Sequence, residues 1–155
     1  MGEQTQFFRA NAGIVVVNQE GEVLALERSD VPGAWQLPQG GIKDHEEPIA
    51  TAKRELTEET SIRPEDLQFL AEYPEWIAYE LPEEARSEKT GRGQVQKWFF
   101  FQTRGQDGPA IILNTEDGEF RAFKWISLSQ LASEVVAFRR PAYVKLADFL
   151  NQRLQ

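Results

Sequence analysis

The sequence predicts an α/β (α+β) fold, a mixed β-sheet held between helices, and three observations carry that expectation. AGIVVV (12–17) and EVLALER (22–28) are apolar runs of strand length joined by a turn at 18–21, the pattern of a hairpin. KWFFFQT (97–103) is a continuous apolar run, as expected of a strand buried on both faces. Stretches opened by Pro48 and Pro141 have apolar residues at helical spacing.

The remaining elements follow in chain order. Residues 35–37 form a short apolar piece that ends at Pro38. Pro48 suits the first position of a helix because its missing N–H has no intrahelical partner there, and Asp44 or Glu47 is a candidate cap. Ile49, Ala52 and Leu56 supply the stripe that packs this helix down. The stretch 67–81 reads as extended and aromatic-rich, broken at Pro74, and 82–93 reads as a polar loop. Residues 120–126 form another strand, Ser127 or Ser129 starts a short helix, and Val144, Ala147, Leu150 and Leu154 are the expected apolar stripe of the last one.

At 155 residues the chain is expected to form one domain, 1–155, with a substantial core. It has no cysteine, which excludes disulfides, thiol metal sites and a thiol nucleophile. The first residues lack a charged-then-apolar signal and no run approaches membrane-spanning length, so a cytoplasmic protein without membrane attachment is expected. A net charge of −8 argues against a general nucleic-acid coat and no DNA partner is expected, although a local basic groove remains compatible.

The chemistry concentrates in the helix after Pro48. Glu55, Glu58 and Glu59 stand at i, i+3 and i+4, so three carboxylates project from about one turn. Their repulsion is aggravated by the negative end of the helix dipole. Either the face is simply solvated, or a hard cation sits among the oxygens, for which Mg²⁺ or Mn²⁺ is suited.

The segment 40–62 resembles the Nudix box, Gly-x5-Glu-x7-Arg-Glu-U-x-Glu-Glu-x-Gly-U with U aliphatic. Gly40, Glu46, Arg54, Glu55, Leu56, Glu58, Glu59 and Ile62 fill eight of its nine specified positions. The departure is Ser61 in place of glycine. A left-handed backbone there would cost serine on the order of 1 kcal/mol, unless the chain turns differently. The resemblance implies an α/β/α sandwich. It also implies metal ligation by Glu55 and Glu59, with Glu58 as ligand or base, Arg54 positioning the glutamates, and a Gly40 carbonyl able to add an oxygen. More than one ion is expected.

Further blocks, WQLPQGGI (35–42), EWIAYELP (75–82), GQVQKWFF (93–100), EFRAFKW (119–125) and VVAFRRPAY (135–143), resemble the bacterial RNA pyrophosphohydrolases and the related dinucleoside polyphosphate hydrolases. The chain departs from that branch at FFRANAG (7–13) and in the loop 83–92. Here the branch implies that Glu119 joins the metal site or acts as base; otherwise it is an exposed loop acid. Arg9, Arg28 and Lys97 match phosphate-binding positions, with Gln96 able to hydrogen-bond phosphate oxygens. Phe138, followed by Arg139 and Arg140, matches a base-stacking segment, or else Phe138 caps the last helix as a core residue. Tyr79 lines the pocket or packs the sheet. Arg86, Lys89 and Arg92 form a basic loop, and His45 reads as a solvent-exposed loop residue. Trp35, Trp76, Trp98 and Trp125 read as core.

Three functions fit these features. The first is removal of pyrophosphate from 5′-triphosphorylated RNA, a step that initiates mRNA decay. The second is hydrolysis of dinucleoside polyphosphates or nucleoside triphosphates. The third is a non-catalytic nucleotide-sensing module, against which the full glutamate set argues. A monomer or homodimer is expected.

Overall fold

The computed structural model describes residues 6–114 and 118–154, with side chains through Arg153. Its strands are β1 (Phe8–Val17), β2 (Val23–Arg28), β3 (Trp35–Gln36), β4 (Gln39–Gly41), β5 (Leu67–Glu72), β6 (Ile77–Glu80), β7 (Gly93–Thr103) and β8 (Phe120–Ile126). The helices are α1 (Pro48–Thr60), α2 (Leu128–Glu134) and α3 (Arg140–Phe149), the last continued by a π-helical stretch, Leu150–Leu154.

The sheet is mixed, in the order β3-β2-β1-β7-β5, with β4 beside β1, β6 beside β7 and β8 beside β2. β1 and β7 run parallel from Phe8↔Gly93 to Val17↔Gln102, and the other strand pairs are antiparallel. Both central strands are covered on both faces, which is why their apolar runs are continuous rather than alternating. Val15, Val17, Trp98 and Phe100 pack with Leu131, Tyr143 and Leu146 of α2 and α3. Ile14, Val16, Phe99 and Phe101 pack with Ala52 and Leu56 of α1. The expected α/β/α layering follows. Among the described residues, no helix is long and apolar enough to cross a membrane.

Both central strands begin earlier than their apolar runs. β1 starts at Phe8 and β7 at Gly93, because the polar stretches in front pair with each other along the parallel ladder. Buried amides join that region. Gln96 Nε2 donates to Asn11 Oδ1 and Gln39 Oε1, both at 3.1 Å, and Trp98 Nε1 donates to Gln96 Oε1.

Other expectations are met or corrected by local packing. Ser127 caps α2, its hydroxyl accepting from Gln130 N. The loop 82–93 carries one 3-10 turn, Glu83–Ala85. The stripe of α3 is Ala142, Tyr143, Leu146 and Ala147, extended by Leu150 in the π-helical continuation, so Val144 faces outward at 44% exposure while Leu154 lies outside the described side chains. Tyr143 sets that phase. Its buried hydroxyl accepts from Leu37 N at 2.8 Å and fastens α3 to the segment before the box. Trp98 is core, Trp35 and Trp125 are half-buried, and Trp76 is exposed at 47%.

Candidate active site

α1 begins at Pro48, but neither Asp44 nor Glu47 caps it through its side chain. Glu46 organises this end instead. Its carboxylate accepts from Lys43 N, from Thr51 Oγ1 at 2.7 Å, and from Arg54 Nε and Nη2 at 2.8 and 3.0 Å. Bonded first to Arg54, the Glu46 carboxyl is held down to a pKa of about 2. At the other end Ser61 does take the left-handed conformation, φ 66°, and its hydroxyl donates to the Ile112 carbonyl at 2.9 Å.

Arg54 is the hub. Besides Glu46 it reaches Glu55 Oε1 at 3.0 Å, Glu58 Oε2 at 3.3 Å and the Gly41 carbonyl at 3.2 Å. One planar guanidinium thus orients two of the three clustered carboxylates and ties them to the glycine pair, a task for several fixed donors. Burial still raises the Glu55 pKa despite the Arg54 charge.

Glu59 has no such partner. It is 5% exposed, and neither carboxylate oxygen receives a hydrogen bond from any described donor. Burial first, then the charges of Glu55, Glu119 and Glu58, push its pKa up to about 10. Neighbouring Glu55 offers no hydrogen while both are ionised, so the pair is unfavourable without a proton or a cation.

A small cavity of about 40 Å³ is lined by Glu58, Glu59, Asn114, Glu119 and Phe120. Among the described residues, no three acidic or imidazole side chains are already gathered on one cation-sized point. The donor set nevertheless fits a hard divalent ion. It offers two buried, unpartnered oxygens on Glu59, with Glu55 one turn away. Gly40 packs against Glu55, where an added Cβ would overlap the carboxyl carbon. Gly41 likewise lies under the Arg9 guanidinium.

A second cavity, about 400 Å³, is lined by Arg28, Val31, Trp35, Gln36, Gln94, Val136, Phe138 and Arg139 among others. Arg28 is chelated by Asp30 at 2.8 and 2.9 Å and donates to Gln36 Oε1. The next residue, Ser29, donates its N–H to the Glu119 carbonyl at 3.0 Å, so Arg28 stands between the two cavities. Phe138 is half-buried, its ring 5.8 Å from that of Tyr79, with the Arg139 guanidinium 5.3 Å from its centroid. A more open groove of about 540 Å³ on the solvent side of α1 shares Arg54 and Glu58 but has no aromatic wall.

The NUDIX domain model matches residues 7–146, with the acidic helix inside the match. The chain belongs to the NUDIX domain family. It is 41% identical over 151 residues to an RNA pyrophosphohydrolase of Cereibacter sphaeroides, covering 95% of this chain and 93% of that one. In structure it resembles the dihydroneopterin triphosphate pyrophosphohydrolase of E. coli, with TM-score 0.73, 21% identity, and 92% and 99% of the two chains covered. It also resembles a C. elegans Ap4A hydrolase, with TM-score 0.69, 24% identity, and 92% and 98% covered. At these identities the two structures speak for the fold.

Within this Nudix fold the sequence-selected residues separate into groups. Glu55, Glu58, Glu59, Arg54 and Gly40 are brought together, and Glu119 joins the same cavity as Glu58 and Glu59. Arg9 reaches the glycine pair, while Arg28, Phe138 and Arg139 line the second cavity and Tyr79 packs beneath Phe138, buried and donating to Gln94 at 2.6 Å. Gln96 and Lys97 line neither cavity. Gln96 is spent in the amide network, and Lys97 bonds Glu72 at 2.8 Å and the carbonyls of Tyr73 and Pro74. In the basic loop, Arg86 and Arg92 both turn onto Glu80. His45 is exposed, as expected. Sequence reasoning did not assign Glu46 its bracing role, although its fixed distance from Arg54 in the Nudix box was the available signal. Asn114 carried none, because nothing local distinguishes it.

Proposed function

We propose that this Nudix protein is a divalent-cation-dependent pyrophosphohydrolase that converts 5′-triphosphorylated RNA to the 5′-monophosphate with release of pyrophosphate. The observation that carries the reading is the Glu59 carboxylate, buried one turn from Glu55 with both oxygens unpartnered, on a cavity shared with Glu58 and Glu119. An RNA substrate is favoured by the 41% identity to an RNA pyrophosphohydrolase and by the neighbouring cavity of Arg28, Phe138 and Arg139.

Glu55 and Glu59, with Glu58 or Glu119 and the Gly40 carbonyl, would hold Mg²⁺ or Mn²⁺, and more than one ion. Bound there, such ions supply charge neutralisation at the phosphate oxygens and acidify water. Arg54 keeps Glu55 and Glu58 in fixed orientations, which avoids reorganisation during the reaction. Glu58 or Glu119 takes the proton of the attacking water. The water oxygen bonds to phosphorus as the anhydride P–O bond breaks, and pyrophosphate leaves with the electron pair. Arg9 and Arg28 balance charge along the phosphate chain. Phe138 and Arg139 stack a base, an interaction suited to single-stranded RNA. The product is the monophosphorylated end that initiates mRNA decay in the cytoplasm, and the enzyme acts as a monomer or homodimer.

Dinucleoside polyphosphates and nucleoside triphosphates present the same phosphates with at least one base, and a cavity of about 400 Å³ admits one base. The deciding experiment measures Mg²⁺-dependent release of phosphate and pyrophosphate from triphosphorylated RNA, diadenosine tetraphosphate, GTP and ADP-ribose. Triphosphorylated RNA is expected to be turned over with the highest kcat/KM. A higher value for diadenosine tetraphosphate would transfer the assignment to the second reading. Ligand binding without hydrolysis of any of the four would make the protein a sensor.

A further inference from the structure

Ser61 occupies a backbone position that disfavours it, yet its side chain is not idle. With φ at 66° the residue closes α1 by a bond from its N–H to the Thr57 carbonyl, while its hydroxyl donates to the Ile112 carbonyl 51 residues away. The Ile112 N–H returns to the Thr60 carbonyl at 2.9 Å, so both main-chain polar groups of Ile112 are held by the end of the Nudix-box helix. Ile112 itself is 66% exposed and contributes little by burial, whereas its neighbours Ile111 and Leu113 pack against the core beneath α1. The next residue, Asn114, lines the cavity of Glu58, Glu59 and Glu119. A segment without regular structure is therefore fixed in register by one clamp, two residues before it enters the candidate site.

We propose that Ser61 is a positioning residue: its hydroxyl clamps Ile112 to the end of α1 and thereby sets where Asn114 stands against Glu58 and Glu59 in their shared cavity. Glycine would relieve the backbone at this position but has no hydroxyl with which to hold the segment. The serine thus exchanges conformational ease for a cross-link into the site. This inference rests on the reading of the Glu58/Glu59/Glu119 cavity as the reaction centre.

The test compares S61G and S61A with the wild type in Mg²⁺-dependent hydrolysis of triphosphorylated RNA, in thermal melting and in amide hydrogen exchange. Because the bond from Ile112 N–H to Thr60 survives in both variants, the segment loosens rather than detaches. In both, kcat is expected to fall roughly three- to tenfold with KM changed less than about twofold, as for small displacements of groups around a reacting centre. S61G should melt no lower than S61A while showing this loss, which separates positioning from folding stability. Exchange at Ile112 and Asn114 should quicken severalfold in both. An S61G protein with wild-type kcat would overturn the proposal. If the wild type hydrolyses no phosphoanhydride, the functional reading fails on its own, and the clamp is then judged by exchange, where unchanged protection of Ile112 and Asn114 in S61G overturns it.

Discussion

Glu55 and Glu59 lie one turn apart on the same helix, both raised in pKa by burial but with different hydrogen-bond partners. Glu55 is held by Arg54 at 3.0 Å, whereas both oxygens of Glu59 are buried without a hydrogen-bond donor among the described residues. The helix could have buried an apolar side chain at Glu59 without this penalty, so the carboxylate is retained against the interest of the isolated fold.

The consequence is a pH dependence of unusual sign. Because the folded pKa of Glu59 is raised from 4.5 to about 10, the folded state keeps a proton that the unfolded chain has released across that window. Stability of the metal-free protein therefore falls as pH rises from about 4.5 toward 10 through this group. Glu59→Gln is expected to melt higher than the wild type at pH 8 in EDTA and to flatten that slope. The same change should lower kcat roughly a hundredfold or more, the scale for loss of one preorganised electrostatic group. A variant with near-normal turnover at saturating Mg²⁺ would remove Glu59 from the centre.

Glu46 carries the opposite sign. Its pKa is depressed to about 2, so its contribution is fully present above about 4.5 and is lost as pH falls toward 2. Glu46→Gln should weaken the acid-side loss of stability in pH-dependent melts. It should also reduce kcat by roughly tenfold, since Arg54 loses two of its bonds and no longer fixes Glu55 and Glu58. Unchanged kcat would mean that Arg54 holds its glutamates without this brace.

The layers, the acidic helix and the clustering of its carboxylates were legible in the sequence because each has a local signature: an apolar run of strand length, a proline at a helix start, acids at i, i+3 and i+4. Nonlocal pairing was not. Phe8–Asn11 and Gly93–Gln96 look polar and loop-like alone, and they become strands only because each is the other's parallel partner. Lys97 shows the same limit among the residues selected for phosphate. A lysine beside an apolar run looks available for phosphate, yet the turn at Tyr73 and Pro74 and the acid Glu72 converge on its ammonium from 23 to 25 residues away. Val144 differs, since there the helix phase was displaced by one residue and Tyr143 took the inward place.

Phe138 gives a test that discriminates substrates. Its half-buried ring lies between the open cavity and the buried Tyr79, with Arg139 alongside. Phe138→Ala is expected to lower kcat/KM for triphosphorylated RNA by roughly ten- to a hundredfold, given stacking energies of about 1–3 kcal/mol per base. Hydrolysis of inorganic triphosphate, which has no base, should change little. Equal losses on both would indicate that the ring supports the fold and not a base.

The two glycines of the box offer a paired experiment, since adjacent positions face different side chains. A Cβ at residue 40 would overlap the Glu55 carboxyl group, and one at residue 41 would overlap the Arg9 guanidinium. Displacing Glu55 disturbs a carboxylate that Arg54 holds in a half-buried position, so little freedom remains for it to move aside. Displacing Arg9 moves the end of a long, flexible side chain. Gly40→Ala should therefore reduce kcat by roughly tenfold or more and raise the Mg²⁺ concentration needed for half-maximal rate. Gly41→Ala should act mainly on KM for polyphosphate substrates, given the role proposed for Arg9 in balancing charge along the phosphate chain. Circular dichroism and melting of both variants check that the fold persists. If Gly40→Ala altered KM alone while its Mg²⁺ requirement stayed at the wild-type value, Glu55 would not be a ligand, and the centre would have to be built from Glu58, Glu59 and Glu119 without it.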